Sequence, residues 1–293
     1  MSRSLQIVPP LPEVVAEDVA KAFREDLGSG DLTASLLPDA PDSAYLLCKE
    51  DCVVAGRPWF DACHKALDPN VVITWQVEEG DHVRKGTVMA LLHGMNRALV
   101  SAERPSLNFL QTLSGTATTT AAYVAAIGGR ATKVLDTRKT LPGLRMAQKY
   151  AVRMGGGENH RIGLFDAVML KENHIRAAGS LSAAAAHART MYPDAPLIIE
   201  VETFEQLREA LQTNCTRILI DDFDADMRKA AVHIARTEGG SRTPLEVSGG
   251  VDMQTIRAIA EDGVDYVSIG ALTKHVHAID FSLKLGPPPV QHG

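Results

Sequence analysis

The C-terminal half of the chain alternates between β-strand and helical patterns, and this alternation restricts its fold more than any other feature. Six strands are predicted, at residues 131–136, 167–171, 196–202, 217–222, 244–248 and 265–269. Because strands that are joined through helices run parallel, this half must form either an α/β barrel or a doubly wound sheet. No Gly-x-Gly-x-x-Gly sequence follows the first strand, which argues against a dinucleotide site.

The N-terminal third has the pattern of a small α+β domain. Its predicted elements are a helix at 13–27, strands at 44–48 and 52–55, a helix at 58–67 and a region of alternating apolar and polar residues at 71–92. The last region resembles the carrier domains for lipoyl and biotinyl groups. No lysine occupies the expected hairpin tip at 93–96, so we favour a sheet platform, and a non-catalytic carrier or anion-binding module is the remote alternative. A long helix is predicted over 104–127, with Pro105 in its first turn.

Composition and charge exclude several classes of protein. The chain has 293 residues, 45% hydrophobic content and a net charge of −6, which suits one large or two modest domains and argues against a nucleic-acid partner. No apolar run is long enough for a membrane span, and the N-terminus lacks the apolar core of a secretory signal. The four cysteines do not match zinc-ligand spacings. We therefore expect reduced thiols and a cytoplasmic protein.

Residues 133–171 form a cationic stretch in an acidic chain. They include eight Lys or Arg and three acidic residues. Such a local excess of positive charge attracts small anions. Arg145, Lys149 and Arg153 lie on a predicted helix in this stretch and are expected to be surface or subunit-interface charges. The three glycines at 155–157 are expected to form a flexible loop that acts as a lid.

Polar residues stand at the end of every predicted strand in the C-terminal half. They are Asp136 to Lys139, Lys171 and Glu172, Glu200 and Glu202, Asp221 and Asp222, Ser248 to Gly250, and Ser268 to Gly270. In α/β barrels these ends and the loops after them build the active site. An inward Glu and an inward Asp suit Mg²⁺ or sugar hydroxyls. The sequence does not decide between Glu200 and Glu202, and one member of the Asp221–Asp222 pair can point inward.

The two kinds of polar ending predict two ligands. Ser248, Gly249 and Gly250 before a helix, together with Gly270 after the next strand, have the composition of a phosphate cradle. Arg138, His160, Arg161 and Lys171 supply the cationic groups that carboxylates require. A phosphorylated sugar and a multiply charged carboxylate are therefore the predicted pair of ligands.

Six motifs in this order carry a specific resemblance. They are TRKT-x-PGLR from Thr137, GGGENHRIGLFD-x-V-x-LKENHI from Gly155, EVE from Glu200, DDF from Asp221, EVSGG from Glu246 and VSIGALTKH from Val267. Together they resemble the quinolinate phosphoribosyltransferase family, also called carboxylating nicotinate-nucleotide pyrophosphorylases. The resemblance implies transfer of phosphoribose from phosphoribosyl pyrophosphate to quinolinate with Mg²⁺. Decarboxylation then gives nicotinate mononucleotide, pyrophosphate and CO₂, in NAD biosynthesis.

The resemblance also implies an architecture. The expected fold is an incomplete, seven-stranded parallel α/β barrel with an N-terminal α+β, hammerhead-like sheet domain. The expected limits are 1–103 for the sheet domain, 104–275 for the barrel and 276–293 for a C-terminal segment that packs back on the sheet domain. Family members are homodimers or higher assemblies with shared active sites, and Arg104 is expected to arrive from the neighbouring subunit.

Site roles follow from the same resemblance. The expected catalytic residues are Lys139, Lys171, Glu200 and Asp221. The expected substrate contacts add Arg104, Thr137, Arg138, His160, Arg161, Ser248, Gly249, Gly250, Ser268 and Gly270. Glu200 and Asp221 are expected to hold the metal, directly or through water. This chain departs from many members at Lys274 and His275, whose roles stay open. A related phosphoribosyltransferase that acts on another carboxylate is the alternative function.

Overall fold

The computed structural model describes residues 10–238 and 243–288, and they form two compact units. The first unit comprises residues 10–121, 140–156 and 272–288, and the second comprises 122–139 and the described part of 157–271. The predicted limits 1–103, 104–275 and 276–293 stay a prediction; the units cut the chain at other places. Residues 1–9 and 289–293 of the predicted outer segments lie outside the described residues.

The elements are as follows in chain order. The strands are β1 Pro41–Cys48, β2 Cys52–Val53, β3 Val72–Trp75, β4 His82–Val83, β5 Val88–Met95, β6 Lys133–Leu135, β7 Val168–Leu170, β8 Leu197–Val201, β9 Arg217–Asp221, β10 Leu245–Ser248, β11 Tyr266–Ser268 and β12 Phe281–Leu285. The helices are α1 Pro12–Asp26, α2 Arg57–Leu67, α3 Asn96–Ile127, α4 Arg145–Met154, α5 Glu172–Ala178, α6 Leu181–Met191, α7 Phe204–Leu211, α8 Ala225–Thr237, α9 Ile256–Glu261 and α10 Ala271–Lys274. In the described part of the chain, no helix is both long and apolar enough to cross a lipid bilayer.

The first unit is built on an antiparallel four-stranded sheet. Its strand order is β12-β1-β5-β3, so the last strand of the chain pairs with the first, from Ala44 opposite Leu285 to Cys48 opposite Phe281. Strands β2 and β4 form a separate pair. Buried apolar side chains such as Leu46, Met89 and Phe60 form the core of this unit.

Helix α3 differs from the prediction at its start. It begins at Asn96, directly after β5, so the hairpin tip expected at 93–96 does not exist and Pro105 lies inside the helix. Proline in a helix interior removes one backbone hydrogen bond. Here the helix continues through it because Leu99, Ala102 and Leu107 bury their side chains almost completely. The carrier-domain alternative loses its structural basis.

Two expectations for the cationic stretch are also wrong. Lys149 on α4 is fully buried and is therefore not a surface charge. Gly155 is buried as well, and a Cβ atom at this position would lie 2.3 Å from the carbonyl oxygen of Ala117 on α3. The turn at 155–156 thus packs tightly against α3 instead of forming a free lid.

The second unit contains a parallel six-stranded sheet that confirms the six predicted strands. The order is β6-β11-β10-β9-β8-β7, so the first and the last strands in sequence are neighbours, as in a barrel. Glu158 forms a single parallel bridge with Leu135 on the outer edge of β6. This bridge occupies the position expected for the seventh strand. Among the described residues, no strand pairing joins Glu158 to β7, so the barrel is open there.

Along each of these strands, alternate side chains point into the barrel interior and toward the surrounding helices. Ala167, Ile198 and Leu219 meet in the interior, packed against Met169. Since every second residue points the same way, Glu200, Asp221 and Lys171 follow them toward the carboxyl edge of the sheet. The fold therefore brings the polar strand endings together at one edge.

Candidate active site

Lys171 and Glu200 form an ion pair at the carboxyl edge of neighbouring strands. The Lys171 ammonium contacts a carboxylate oxygen of Glu200, and the side chains are 48% and 11% exposed, respectively. The backbone N–H of Lys171 donates to Nδ1 of His174 (3.1 Å), which fixes the turn between β7 and α5. Glu202 lies exposed beyond β8, where its N–H donates to Gln206. Glu200 is thus the acid that reaches the barrel mouth.

Asp221 lies beside the glycine loop that follows β10. It is the last residue of β9 and is in register with Ser248, and a Cβ at Gly249 would lie 3.2 Å from its Oδ1. Gly249 and Gly250 have φ of 88° and 61°, in the left-handed region that glycine adopts readily. Asp222 is exposed beyond the strand end, so Asp221 is the inward member of the pair. The carboxylate of Asp221 therefore lies next to the backbone of Gly249.

A cavity of about 550 Å³ opens beside this loop. Its lining combines the ends of β9 and β10 with residues of α8, such as Arg228, and with α9 and Thr255, which directly precedes α9. The Arg228 guanidinium is already neutralised by Asp262 (2.8 Å). The lining also contains the acids Asp222 and Asp224 and the amide of Gln254, so the groups that suit a phosphate are those of the Ser248, Gly249 and Gly250 loop at one side of the cavity.

The side chain of Lys139 lies against Gly270, which follows β11. A Cβ at Gly270 would lie 2.9 Å from Cδ of Lys139 and 3.6 Å from Oγ1 of Thr137. The N–H of Lys139 donates to that hydroxyl (3.0 Å). Because Gly270 has no side chain, the loop after β6 can lie close to the end of β11. The aliphatic part of Lys139 packs against Gly270.

Arg161 and Arg138 create a positive field near the start of β7. The Arg161 guanidinium donates to the carbonyl oxygen of Ala167 (3.1 Å) and contacts the sulfur of Met169 (3.6 Å). Burial, and then the charge of Arg138, lower the pKa of Arg161. An anion beside Arg161 would stabilise its charged form, and a planar carboxylate fits a guanidinium group best.

His160 lies between the backbone of Arg161 and the carboxylate of Glu246. It is buried, its Nδ1 accepts the N–H of Arg161 (2.7 Å), and its Nε2 lies 3.4 Å from Oε2 of Glu246. Since Nδ1 is an acceptor, the proton of the neutral ring is on Nε2. Both ring nitrogens contact protein groups, so the ring links the backbone of Arg161 to Glu246, and the predicted contact of His160 with the substrate stays a prediction.

A buried charged layer beneath the mouth was missed from the sequence. Glu246 is fully buried, its carboxylate pairs with Arg217 (2.8 Å), and the Arg217 guanidinium lies 4.3 Å from the ring centre of Tyr266. Burial raises the pKa of Glu246, but the contacts with His160 and Arg217 outweigh burial and lower it to about 2. Strand alternation from Ser248 back to Glu246 is the signal that could have indicated this inward acid.

The remaining predicted residues are placed as follows. Ser268 is buried, and its hydroxyl donates to the carbonyl oxygen of Val247 (3.4 Å). Arg104 belongs to the first unit, where it is exposed on α3 and pairs with Glu103 (3.4 Å). Lys274 and His275 are exposed at the end of α10 and after it. The structure thus pairs Lys171 with Glu200, Asp221 with the Ser248–Gly249 turn, and Lys139 and Thr137 with Gly270.

Glu200 and Asp221 are the carboxylates at the barrel mouth that could bind a metal ion. Among the described residues, no three His, Cys, Asp or Glu side chains converge as a metal cage. Glu200 and Asp221 nevertheless offer carboxylate oxygens at the same edge. Mg²⁺ commonly binds through one or two carboxylates together with water and substrate phosphates. The residues therefore fit a Mg²⁺ that arrives with a phosphorylated substrate.

Comparisons with known proteins show the family to which the chain belongs. The model of the quinolinate phosphoribosyl transferase C-terminal domain matches residues 116–284, and that of the N-terminal domain matches residues 31–114. The chain belongs to the quinolinate phosphoribosyltransferase family. Within this family it is similar to a probable carboxylating nicotinate-nucleotide pyrophosphorylase of Bacillus subtilis, with 41% identity over 264 residues, 89% of this chain and 90% of the relative.

Two further relatives extend the similarity over nearly the whole chain. A mitochondrial decarboxylating quinolinate phosphoribosyltransferase of Nicotiana tabacum is 39% identical over 306 residues, which covers 96% of this chain and 86% of the relative. The solved nicotinate-nucleotide pyrophosphorylase of Francisella tularensis is 40% identical, with a TM-score of 0.92 over 98% of this chain and 100% of that chain. The predicted fold, an α/β barrel with an N-terminal sheet domain, is confirmed.

Proposed function

We propose that this protein transfers phosphoribose from phosphoribosyl pyrophosphate to the ring nitrogen of quinolinate. The 2-carboxylate then leaves as CO₂, and the products are nicotinate mononucleotide and pyrophosphate. The observation that carries the proposal is the Lys171–Glu200 pair at the same sheet edge as the glycine loop of Ser248 to Gly250. Family membership supports the same activity.

Each half of the site has a separate role in binding. The backbone of Ser248, Gly249 and Gly250, with Gly270, receives the 5′-phosphate of the donor, because glycine backbone can approach phosphate oxygens closely. Arg138 and Arg161 hold the carboxylates of quinolinate, a dianion that relieves the repulsion between the two guanidinium groups. Nδ1 of His160 accepts the backbone N–H of Arg161 and so helps to hold Arg161 in place.

The transfer step exchanges one bond at the anomeric carbon for another. The bond from C1′ to pyrophosphate breaks, and the quinolinate nitrogen forms the new bond to C1′, through an oxocarbenium-like transition state. The carboxylates of Glu200 and Asp221 stabilise the positive charge on the ribose and hydrogen-bond its hydroxyls. Lys139 and Lys171 neutralise the departing pyrophosphate. When bound, Mg²⁺ supplies further neutralisation of the pyrophosphate oxygens.

Decarboxylation follows from the charge of the new pyridinium ring. When the C2–carboxylate bond breaks, its electron pair stays at C2, next to the positive nitrogen that stabilises it, and a proton then adds at C2. The nitrogen is the electron sink, so the step requires no additional organic cofactor. A drier environment for the 2-carboxylate favours its loss, and the partly buried Arg161 contributes to such an environment.

The proposal includes an assembly and a location. A homodimer or higher assembly, in which Arg104 completes the site of the neighbouring subunit, is supported by the exposure of this side chain and by the resemblance of the motifs. A cytoplasmic location is supported by four cysteines that are free and buried.

The test is a substrate comparison with purified protein. Phosphoribosyl pyrophosphate and Mg²⁺ are supplied with quinolinate, nicotinate or another pyridine carboxylate, and mononucleotide and CO₂ are measured. Turnover of quinolinate with release of CO₂ is expected. Turnover of nicotinate or another carboxylate in place of quinolinate would favour the related phosphoribosyltransferase function instead.

A further inference from the structure

Glu246 is a fully buried carboxylate that has no place in the reaction described above. A buried charge is unfavourable unless it is paired and hydrogen-bonded, and an apolar residue of similar size would fill the barrel interior at least as well. Glu246 lies two residues before Ser248 on β10, on the inward face of the strand. Its position below the barrel mouth therefore calls for an explanation beyond packing.

The contacts of Glu246 connect it through His160 to Arg161, one of the two arginines proposed to bind the substrate carboxylates. Its Oε2 contacts Arg217 (2.8 Å) on one side and lies 3.4 Å from Nε2 of His160 on the other. Nδ1 of His160 in turn accepts the backbone N–H of Arg161 (2.7 Å). The main chain of the same segment is fixed a second time, since the N–H of His160 donates to Asp136 (2.9 Å).

The direction of the hydrogen bonds at His160 indicates the role of Glu246. An imidazole that accepts at Nδ1 must carry its proton on Nε2, and an acceptor opposite Nε2 stabilises this tautomer. Without that acceptor, the ring can place its proton on Nδ1. Nδ1 would then repel the N–H of Arg161, and the loop that carries the Arg161 guanidinium would lose its position.

We propose that Glu246 is a positioning residue for the carboxylate substrate: it fixes the Nε2–H tautomer of His160 and thereby holds Arg161 in its binding position. The inference rests on the proposed function for the identity of the substrate. It predicts that Glu246 affects the binding of quinolinate and leaves the binding of phosphoribosyl pyrophosphate largely unchanged, because the glycine loop does not depend on His160.

Two substitutions at the same position separate this role from simple charge pairing with Arg217. Glu246→Gln keeps an oxygen that accepts from Nε2 of His160, whereas Glu246→Leu removes it. Neither variant supplies a charge for Arg217. We expect Glu246→Leu to raise the KM for quinolinate about tenfold with a change below about threefold for the donor, and Glu246→Gln to stay within about threefold of the wild type for both.

A spectroscopic readout checks the tautomer independently of activity. In ¹⁵N-histidine-labelled protein, wild type and Glu246→Gln should show His160, assigned by its loss in His160→Gln, with a protonated Nε2 and an unprotonated Nδ1. Glu246→Leu should show a shift of the proton toward Nδ1. This measurement remains informative if the wild type does not turn over quinolinate, an outcome that would count against the proposed function alone.

The stability control is an ion pair at the other end of the sheet. Arg236 pairs with Asp265 (2.7 Å), which directly precedes β11. Asp265→Asn should lower the Tm and leave both KM values unchanged. If Glu246→Leu does not fold, Glu246→Leu combined with Arg217→Met removes the acceptor without leaving a buried unpaired charge. Equal impairment by Gln and Leu, or equal changes in both KM values, would overturn the inference.

Discussion

The ammonium group of Lys171 is ion-paired with the carboxylate of Glu200 across β7 and β8. Lys171 is about half exposed, whereas Glu200 is nearly buried, so the lysine can move to an arriving anion while the acid stays in place. In the proposed reaction, the donor separates these two charges. Lys171 follows the pyrophosphate, and Glu200 becomes free to face the ribose.

Substitution of either partner should therefore lower kcat. Lys171→Met and Glu200→Gln are each expected to reduce it by about 10²–10³-fold, a loss typical of one electrostatic group in a transition state. Steady-state kinetics with both substrates measure the effect. Lys49→Ala is the matched control, since Lys49 forms an exposed pair with Asp280 in the sheet unit. A loss of similar size in the control would show that the assay reports general damage.

Gly270→Ala should displace Lys139 without unfolding the barrel. The new methyl group would lie 2.9 Å from Cδ of Lys139, a flexible side chain that can move away. We expect kcat/KM for phosphoribosyl pyrophosphate to fall about tenfold while the Tm changes little. In a Lys139→Ala background the same substitution should have almost no further effect. Additive losses in the double variant would separate the role of Gly270 from Lys139.

Arg138→Ala should weaken the binding of quinolinate selectively. It removes one of the two guanidinium groups whose mutual repulsion a dianion relieves, so the KM for quinolinate should rise about tenfold or more. The KM for the donor should change far less. Arg130→Ala, which breaks a pair with Glu261, is the control. Equal effects of Arg138→Ala on both KM values would argue against a carboxylate clamp.

His64 should make the protein less stable in mild acid. It is buried on α2 against Phe60, neither ring nitrogen has a partner among the described residues, and burial lowers its pKa from 6.5 to about 4. Since the folded pKa lies below the unfolded one, stability is lost as the pH falls from about 6.5 to 4. The loss is about 2 kcal/mol at pH 5.

Denaturant unfolding at pH 7.5 and pH 5 measures this effect. His64→Phe should abolish its share of the pH dependence, whereas His187→Phe, at an exposed position on α6, should leave it intact. The same pH dependence in both variants would contradict the assignment to His64.

Subunit mixing tests whether active sites are shared. Arg104→Ala and Lys171→Ala proteins should each be nearly inactive. After they are unfolded together and reassembled, a mixed dimer contains one site in which neither substituted residue is present, so about a quarter of the wild-type activity should return for random pairing in a dimer. No recovery in mixtures that do exchange subunits would place Arg104 outside the partner's site.

Local sequence patterns predicted the barrel strands and the residues at their ends, because strand alternation and polar endings are properties of short segments. These local patterns did not predict features that depend on contacts between residues far apart in the sequence. The α3 start was missed since Pro105 is a local signal for a first turn, whereas the burial of Leu99 and Ala102 is a tertiary effect. The contact between Glu246 and His160 joins β10 to a loop between β6 and β7, and no local pattern relates these two segments.

The most direct test of the central claim is the fate of the 2-carboxylate of quinolinate. Quinolinate labelled in this group is incubated with the protein, phosphoribosyl pyrophosphate and Mg²⁺, and labelled CO₂, nicotinate mononucleotide and pyrophosphate are quantified. The account predicts the three products in equal amounts, and no CO₂ without the donor, since the pyridinium must form first. Pyridine nucleotide that retains the label, or no reaction with quinolinate while another carboxylate reacts, would contradict it.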